Sequence, residues 1–564
     1  MAETITEMIL PGTYIEVRAE GLLTIGAIST GNIGIIGTAE MGGAGVENLD
    51  SYEKGRARFG EPGEWDPNAV DDSLSLVRAL KILFDNGART VYAKRVFDEK
   101  TAKTATYTLV GDDNAQLITL RARTPGAGGN RLQIRVEEGE AQENVNNELV
   151  ARSNGSFKIS AKEILVPQTN GNGNGQPADP VLGSVTVRDN GLSTKYQLKQ
   201  STASSQVVQI NTATRALTFA MQPSAQAEIR ASYFAPKTGI RKVTLRQGNL
   251  QEVYLVPSVS YLAQRLRSET NPSKLVEVVE TKADGLPKAT TRFEVFAGGA
   301  NGSVSKESFQ AALEDLVDRD IQIVVVAGRY FSQIKSDILG HVEKTENLGH
   351  ERIAVIGADS SEVEKILENA NDIADKRVVL VAPGLKQQDP ITGQVTELPP
   401  YYAAAAVAGK LSSLSPHISL TNKTLAGIDA LAAEYNYGEM KSLVQNRVLA
   451  LQKKRGIRVV KGVTTDDEAF KQITLRRIID YVKEGTRIGA NQYIGKLNNK
   501  RVRENLRTTL DGFLADLLRR EFLTGYKLTV SADRAMEIRG EVLVVMELNP
   551  TFSIDVIRVV MNLS

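Results

Sequence analysis

Three histidines, His341, His350 and His417, are the only imidazoles in the chain. No two of them stand at an HxH or HExxH spacing, so no zinc or facial-triad ligand set is legible. His341 and His350 flank a predicted helix end and read as surface side chains. Cysteine is absent, which removes disulfides, thiolate metal ligands and cysteine nucleophiles. A serine hydrolase on an α/β scaffold needs a GxSxG elbow, and the sequence has none. The paired carboxylates Asp71-Asp72 and Asp466-Asp467 fall at predicted helix starts, where the helix dipole already favours them. One segment keeps a chemical reading. Gly357-Ala358-Asp359-Ser360-Ser361 follows a predicted strand, the position at which α/β sheets place ligands, and Asp359 would face such a crevice. Yet no GxGxxG or GxxxxGK[ST] follows any strand, and Gly31, Gly34 and Gly37 recur within a strand rather than in a phosphate loop. An α/β enzyme or binding module with a ligand crevice at residues 357–361 is therefore the rival reading, marked by a ligand-induced rise in thermal stability.

Charge narrows the partners. Lys+Arg number 68 against 67 Asp+Glu, a net +1, so no global field recruits nucleic acid or an anionic membrane. Two local basic clusters stand out, Lys453-Lys-Arg-Gly-Ile-Arg458 and Lys500-Arg-Val-Arg503 with Arg507. Neither interleaves aromatic residues for base stacking. They read as solvated helix faces or as surfaces for an acidic protein. No run of about 18 apolar residues is present, which predicts no membrane span. Met1 to Leu10 is acidic and lacks a secretory n-region, so the expectation is a soluble chain made in the cytoplasm.

The elements that would position these residues divide by period. A chain of 564 residues exceeds one core, and about three or four domain-sized units are expected. In residues 1–99, Tyr14, Ile15 and Val17 belong to a short strand after a Pro11-Gly12 turn. Gly31–Gly37 and Thr90–Val96 are predicted strands flanking a helix with Leu74, Leu76, Val77, Leu80, Ile82 and Leu83, stopped at Asn86-Gly87. Residues 100–300 change to short alternating strands, such as Leu117–Ala122, Leu132–Val136, Ser184–Val187, Val207–Ile210, Leu217–Phe219 and Ala227–Tyr233. That is the pattern of an antiparallel β insertion, with 146–240 perceived as a nested outer domain. Gln168–Pro177 is a low-complexity outer loop.

From 301 to 564 the helical period returns. A helix over Ser305–Val317 precedes buried strands at Ile321–Ala327, Ile353–Gly357 and Val378–Ala382, the last two enclosing a helix opened by a capping box at Ser361–Glu364. Strand, helix and strand at about thirty-residue intervals predict right-handed βαβ units and a parallel sheet. Another capping box at Thr465–Glu468 is expected to open a helix with Phe470, Ile473, Ile478 and Val482. A further amphipathic helix carries Val502, Leu506, Leu510, Phe513, Leu517 and Leu518, with Lys500, Arg503 and Arg507 off that stripe. The fold class is thus a multi-domain α/β (α+β) chain, a split α/β core with a β-rich insertion and extended terminal strand arms.

The end of the chain is unusual. Tyr526–Val530 and Glu541–Glu547 are strands, and the chain then closes on an apolar run where most chains fray. Phe552, Ile554 and Val556 alternate with Ser553 and Asp555. The phase slips at Val556-Ile557, after which Ile557, Val559, Met561 and Leu563 form the apolar set, so a bulge is expected there. Such an arm needs a sheet edge, its own or a neighbour's.

Several of these segments resemble contractile tail sheath proteins. They are Pro11–Val17, Gly34–Ala39, Ala79–Ala88 with Val91–Val96, Arg123–Leu132, Arg477–Tyr481, Thr509–Leu514 and Pro550–Asp555. The stretch 146–240 shares none of this likeness. The resemblance implies a structural protein, with no enzymatic role and no cofactor. It would polymerise helically with itself around an inner tube protein and contract to drive the tube through a target envelope. Baseplate and terminator proteins would be further partners, and assembly would occur in the bacterial cytoplasm, as part of a virion tail or a phage-like injection particle. It also implies strand exchange between subunits through Tyr14, Ile15 and Val17 at one end and Phe552, Ile554, Val556, Ile557 and Val559 at the other. An inner-tube contact would fall at Lys500, Arg503 and Arg507.

Overall fold

A computed structural model describes residues 28–63, 65, 74–138, 145–153, 156–160, 164, 181–233, 240–389 and 391–561. The predicted strand at Tyr14, Ile15 and Val17, the Asp71-Asp72 pair and the loop Gln168–Pro177 lie outside them. The described residues form two compact units, one of those within 28–39, 44–96 and 304–561, the other of those within 40–43 and 97–303.

The first unit is built on a nine-stranded sheet. Its order is Val46–Leu49, Val91–Arg95, Ile33–Gly37, Ile323–Val326, Ile353–Gly357, Val378–Ala382, Leu449–Lys453, Ile457–Val459 and Thr424–Leu425. The strands from Val91 to Leu449 pair in parallel, and the two borders are antiparallel. Ile33 pairs with Ile323 across the whole insertion, so the core is split in sequence but continuous in hydrogen bonding. Strands buried on both faces read as unbroken aliphatic runs. Alternate residues feed opposite layers: Ile323, Val325, Ile353 and Val355 meet the helices Leu76–Asp85 and Pro400–Ser412. Val324, Val326, Ala354 and Ile356 meet Lys306–Glu314, Phe331–Asn347 and Val363–Asn371 on the other side.

Two helix starts differ from expectation. The Val363–Asn371 helix has Glu362 at its N-cap, with no side-chain cap. Ser361 Oγ instead accepts from Gly384 N at 3.0 Å. The next long helix begins at Ile473 rather than near Thr465. Thr465 Oγ1 is held by the backbone of Asp375, and Asp466 accepts from Phe470 N in a loop. In both places a tertiary partner takes the hydroxyl that a local cap would have used.

The last hundred residues add the helices Ile473–Asn491 and Lys500–Arg519, the short helix Arg534–Arg539 and a hairpin of Leu523–Ser531 with Leu543–Pro550. Ile478, Tyr481, Val482, Phe513, Leu514 and Leu517 close a separate core with Phe522 and Leu523. Leu518, predicted on the apolar stripe, is exposed, since Leu517 already takes the inward position and its neighbour is turned about 100° away. Gly485 lies at the crossing of the two long helices, where a Cβ would stand 2.1 Å from Phe513 Cζ.

The second unit is rich in strands. Val276–Thr281, Gln116–Ala122 and Thr106–Val110 form one antiparallel sheet, and Leu250–Val256, Arg241–Gln247, Gln133–Glu138 and Glu294–Val295 another. Eight further strands between residues 145 and 233 form a third sheet. Its two outermost strands, Val145–Leu149 and Ala151–Ser153, are consecutive in the chain, so the sheet curls back on itself around Phe157, Val185, Leu198, Ile210 and Tyr233. Glu148, on one of those border strands, accepts from Tyr233 OH at 2.5 Å, Tyr261 OH at 2.8 Å and Ser160 N at 2.8 Å. Tyr261 belongs to the Val259–Leu266 helix, so this carboxylate ties the curled sheet to the rest of its unit.

Candidate functional site

The crevice at residues 357–361 is filled. A Cβ on Gly357 would stand 2.2 Å from the Pro400 carbonyl carbon, because the Pro400–Ser412 helix lies directly on that strand end. Asp359 is fully engaged: Oδ1 accepts from Ser332 N at 2.8 Å and Ser332 Oγ at 3.1 Å, and Oδ2 from Asn369 Nδ2 at 2.8 Å. It anchors the first turn of the Phe331–Asn347 helix to the last turn of the Val363–Asn371 helix and has no lone carboxylate oxygen for a substrate.

The histidines are structural. His341, expected on the surface, is buried inside the Phe331–Asn347 helix. Its Nε2 lies 3.1 Å from Arg352 Nη1, and burial together with that guanidinium pushes its pKa down to about 3. The ring is neutral and accepts from the arginine. His417 packs against Phe522 with centroids 4.3 Å apart and the rings tilted by 46°. Among the described residues, no group of three His, Asp or Glu side chains is placed to hold a metal ion, and no helix is long and apolar enough to cross a membrane. The Lys453–Arg458 cluster is the tip of a β-hairpin rather than a helix face. It joins Leu449–Lys453 to Ile457–Val459, with Arg455 and Gly456 at φ 52° and 99°.

The polar group that matters for rigidity is Arg377, which the sequence did not single out. It bonds Glu346 through Nε at 2.9 Å and Nη2 at 2.8 Å, and Asp480 through Nη1 at 2.8 Å and Nη2 at 3.0 Å. Glu346 comes from the Phe331–Asn347 helix and Asp480 from Ile473–Asn491, so one buried guanidinium joins the parallel-sheet layer to the C-terminal helices. Arg377 and two lysines, Lys376 and Lys483, hold the Glu346 carboxyl well below the usual carboxylate range.

The surfaces left open lie at the chain's end. The hairpin is a two-stranded sheet, and no strand lies along either outer edge among the described residues. Tyr526, Leu528, Met546 and Leu548 pack inward, while Leu543 and Val545 face out. Residues 551–561 form no strand. Thr551 N bonds Phe522 O at 3.0 Å, and Asp555 is held by Lys461 Nζ at 3.2 Å with Thr421 and Gln472 nearby. The expected alternation is present, but its polar phase points inward. Phe552, Ile554 and Val556 are 63%, 80% and 85% exposed, and from Ile557 through Val559 to Met561 every side chain is exposed. The reading of this run as a last strand docked in its own domain is therefore corrected: Asp555, not the apolar set, makes the contact.

The three cationic candidates differ among themselves. Lys500 opens the Lys500–Arg519 helix, capped by Asn499, whose side chain accepts from Val502 N at 3.0 Å. Arg503 is mostly buried and bonds Glu537 at 3.0 Å and Asn498 at 2.9 Å. Arg507 is paired with Glu504 at 2.9 Å one turn back. Sequence reasoning missed both the Arg503–Glu537 brace and the Asp555 anchor, because each partner lies far along the chain. It also passed over the loop at 492–499, where aliphatic residues off any helical stripe, beside Gly495 and Asn498-Asn499, were the available signal.

Comparison with known proteins agrees with this architecture. Residues 302–465 match the phage tail sheath protein central domain, and residues 465–564 the phage tail sheath C-terminal domain. The tail sheath protein of Bacillus phage SP01 is 28% identical over 224 residues, 38% of this chain and 38% of its own length. That of Staphylococcus phage Twort is 29% identical over 233 residues, 39% of each. These alignments thus span about two fifths of the curated relatives. The crystal structure of the sheath tail protein from Desulfitobacterium hafniense superposes with a TM-score of 0.58 at 13% identity, over 96% of this chain and 100% of that one. The Listeria innocua sheath tail protein gives 0.56 at 14% identity over 94% and 98%. Residues 302–564 thus carry two phage tail sheath domains in tandem, on an α/β architecture shared with solved sheath tail proteins.

Proposed function

We propose that this chain is the structural subunit of a contractile sheath. It polymerises helically around an inner tube, and contraction of the polymer drives the tube through a target envelope. The observation that carries the reading is the exposed run Phe552–Met561, pinned at Asp555 and presenting apolar residues interrupted by the exposed Arg558, next to a hairpin with two open edges. An unsatisfied strand and an unsatisfied edge on one chain are complementary halves of β-augmentation between copies. Phe552, Ile554, Val556, Ile557 and Val559 supply the donated strand. Tyr14, Ile15 and Val17, outside the described residues, supply a second one from the other end. Main-chain hydrogen bonds then hold neighbours together while the folded units move as near-rigid bodies. The work of contraction is stored in the lattice, so the subunit acts without catalysis and without a cofactor. Baseplate and terminator proteins bound the polymer, and assembly takes place in the bacterial cytoplasm.

The inner-tube contact is assigned to the first turns of the Lys500–Arg519 helix, with Lys500, Arg503 and Arg507. Exposed charge pairs are weak individually, which suits a contact that must release on firing. Reversing charge at these three positions is expected to uncouple tube from sheath and leave sheath polymers intact.

Electron microscopy of the full chain beside one lacking residues 551–564 tests the assembly reading. Striated hollow tubes that vanish with the arm are the expected result. Monomers in both samples at high concentration would falsify it.

A further inference from the structure

A cavity of about 230 Å³ lies in the first unit, at the end of the parallel sheet opposite the closed crevice at 357–361. Ile321, Gln322 and Ile353 line it where two central strands begin, and Arg477, Tyr481 and Ile488 line it from the Ile473–Asn491 helix. Drug-sized sites run to roughly 300–1,000 Å³, so this one admits only a small molecule.

One wall carries a buried charge with an unused donor. Arg477 is 6% exposed. Its Nη2 donates to the Thr30 carbonyl at 3.0 Å and the Leu414 carbonyl at 2.9 Å. Its Nη1 is buried and has no hydrogen-bond partner, and no carboxylate pairs with the side chain among the described residues. Burial holds the guanidinium pKa down at about 10, opposed only by the field of Asp480 one turn along the helix. A buried cation in that position gains from a counter-ion brought by a ligand.

The acids around the cavity are already committed. Asp480 accepts from Arg377 and Arg476, and Glu351 pairs with Arg487 and Lys483. Glu484 also pairs with Arg487, and Asp320 accepts from Asn32 and Gln322. None of them is free to neutralise Arg477. Their presence nevertheless disfavours a multiply charged anion, because like charges repel across so small a space. Ile28, Ile321, Tyr481 and Ile488 supply apolar surface beside the guanidinium. The lining therefore selects a head with one negative charge and a short apolar body.

We infer that this cavity is a binding site for a small monocarboxylate, whose carboxylate accepts from Arg477 Nη1 while its apolar body packs against Ile321, Tyr481 and Ile488. The ligand would fill the joint between the strand starts and the Ile473–Asn491 helix, the joint that Arg377 fastens through Asp480. The site stands apart from the sheath reading and does not depend on it.

Equilibrium dialysis of the full chain against hexanoate tests the inference, beside the neutral hexanamide and inorganic phosphate. The variants are Arg477→Gln, which removes the donor, and Ile488→Trp, which fills the cavity and leaves Arg477 in place. Circular dichroism checks that both fold, and the second keeps the test decisive where the first does not. The expected result is one hexanoate per chain with a Kd on the order of 0.1–1 mM, fitting a ligand of about eight non-hydrogen atoms. Each variant, and hexanamide in place of hexanoate, should weaken binding by roughly tenfold or more. Phosphate should not displace hexanoate. No uptake by the parent would mean that water alone fills the cavity, and overturns the inference. Equal uptake of hexanoate and hexanamide, or equal uptake by parent and Ile488→Trp, overturns it as well. Displacement by phosphate would make the site a general anion hole, and polymers that dissolve as hexanoate binds would make the natural occupant a segment of another copy. Both of these results also overturn it.

Discussion

Arg377 shows how much one residue carries in this fold. Its side chain is almost wholly buried, and both its acidic partners come from helices that are otherwise separate in sequence. A buried pair that loses one member leaves an uncompensated charge out of water, which costs about 3–5 kcal/mol. Arg377→Met should lower stability by about 3 kcal/mol in urea unfolding, the low end of that range, because Lys376 and Lys483 remain on Glu346 and Arg476 on Asp480, whereas an exposed pair such as Lys527–Glu547 should cost about 0–1 kcal/mol when broken. The same cluster sets a pH response. The Glu346 carboxyl is held below its ordinary value of 4.5, so the native state binds fewer protons than the unfolded chain in acid. Its contribution is complete above about pH 4.5 and fades progressively as pH falls toward the lowered native value. Unfolding midpoints recorded from pH 6 downward should drop for the parent, and drop less steeply for Glu346→Gln. In the second unit, Tyr261→Phe removes one of three donors to the half-buried Glu148. A loss of about 1.5–3 kcal/mol is expected, the worth of a hydrogen bond to a charged group.

Elements differ in how far the sequence announces them. Ile33–Gly37, Ile323–Val326, Ile353–Gly357 and Val378–Ala382 are legible because a strand buried on both faces admits only apolar or small residues. The alternating strands of residues 100–300 are legible for the complementary reason, one wet face and one dry. The boundaries at Ser361 and Thr465 were misplaced because a capping signature is local, and hydroxyls of Ser361 and Thr465 found partners 23 and 90 residues away. The orientation of the terminal arm was illegible for a similar reason. Period 2 reveals that two faces exist, and only the distant Lys461 and Thr421 decide which face is inward. The candidate site was thus half visible: Lys500 and the arm residues were named, while the Arg503–Glu537 brace was not. Helix crossings hold to the same rule. Gly485 reads as a weak helix position, but its absent side chain lets Phe513 pack against the backbone of the Ile473–Asn491 helix. Gly485→Ala improves helix propensity by about 1 kcal/mol, yet the clash at this crossing should outweigh it and leave a net loss of about 1–2 kcal/mol in thermal unfolding.

At the scale of the whole molecule, the proposed assembly turns on where an exposed strand finds its edge. The arm has two possible fates in solution. It folds back on its own hairpin, or it adds to the hairpin of another copy. Folding back is opposed by the Asp555 anchor, which holds the chain beside Lys461 and Gln472, away from the paired edge. Strand addition between copies gains main-chain hydrogen bonds and buries Phe552, Ile554 and Val556 together, so it depends on subunit concentration whereas folding back does not. A synthetic peptide of residues 549–561 should therefore occupy the open edge and suppress polymer formation, as followed by light scattering. The same peptide with Ile554→Pro and Val556→Pro cannot complete the ladder, since proline lacks the donor and fixes φ, and should leave assembly unchanged. Inhibition by both peptides alike would mean that hydrophobic coating, not strand pairing, is responsible. Inhibition by neither, with polymers still lost on removal of the arm, would place the arm's partner somewhere other than the hairpin edge.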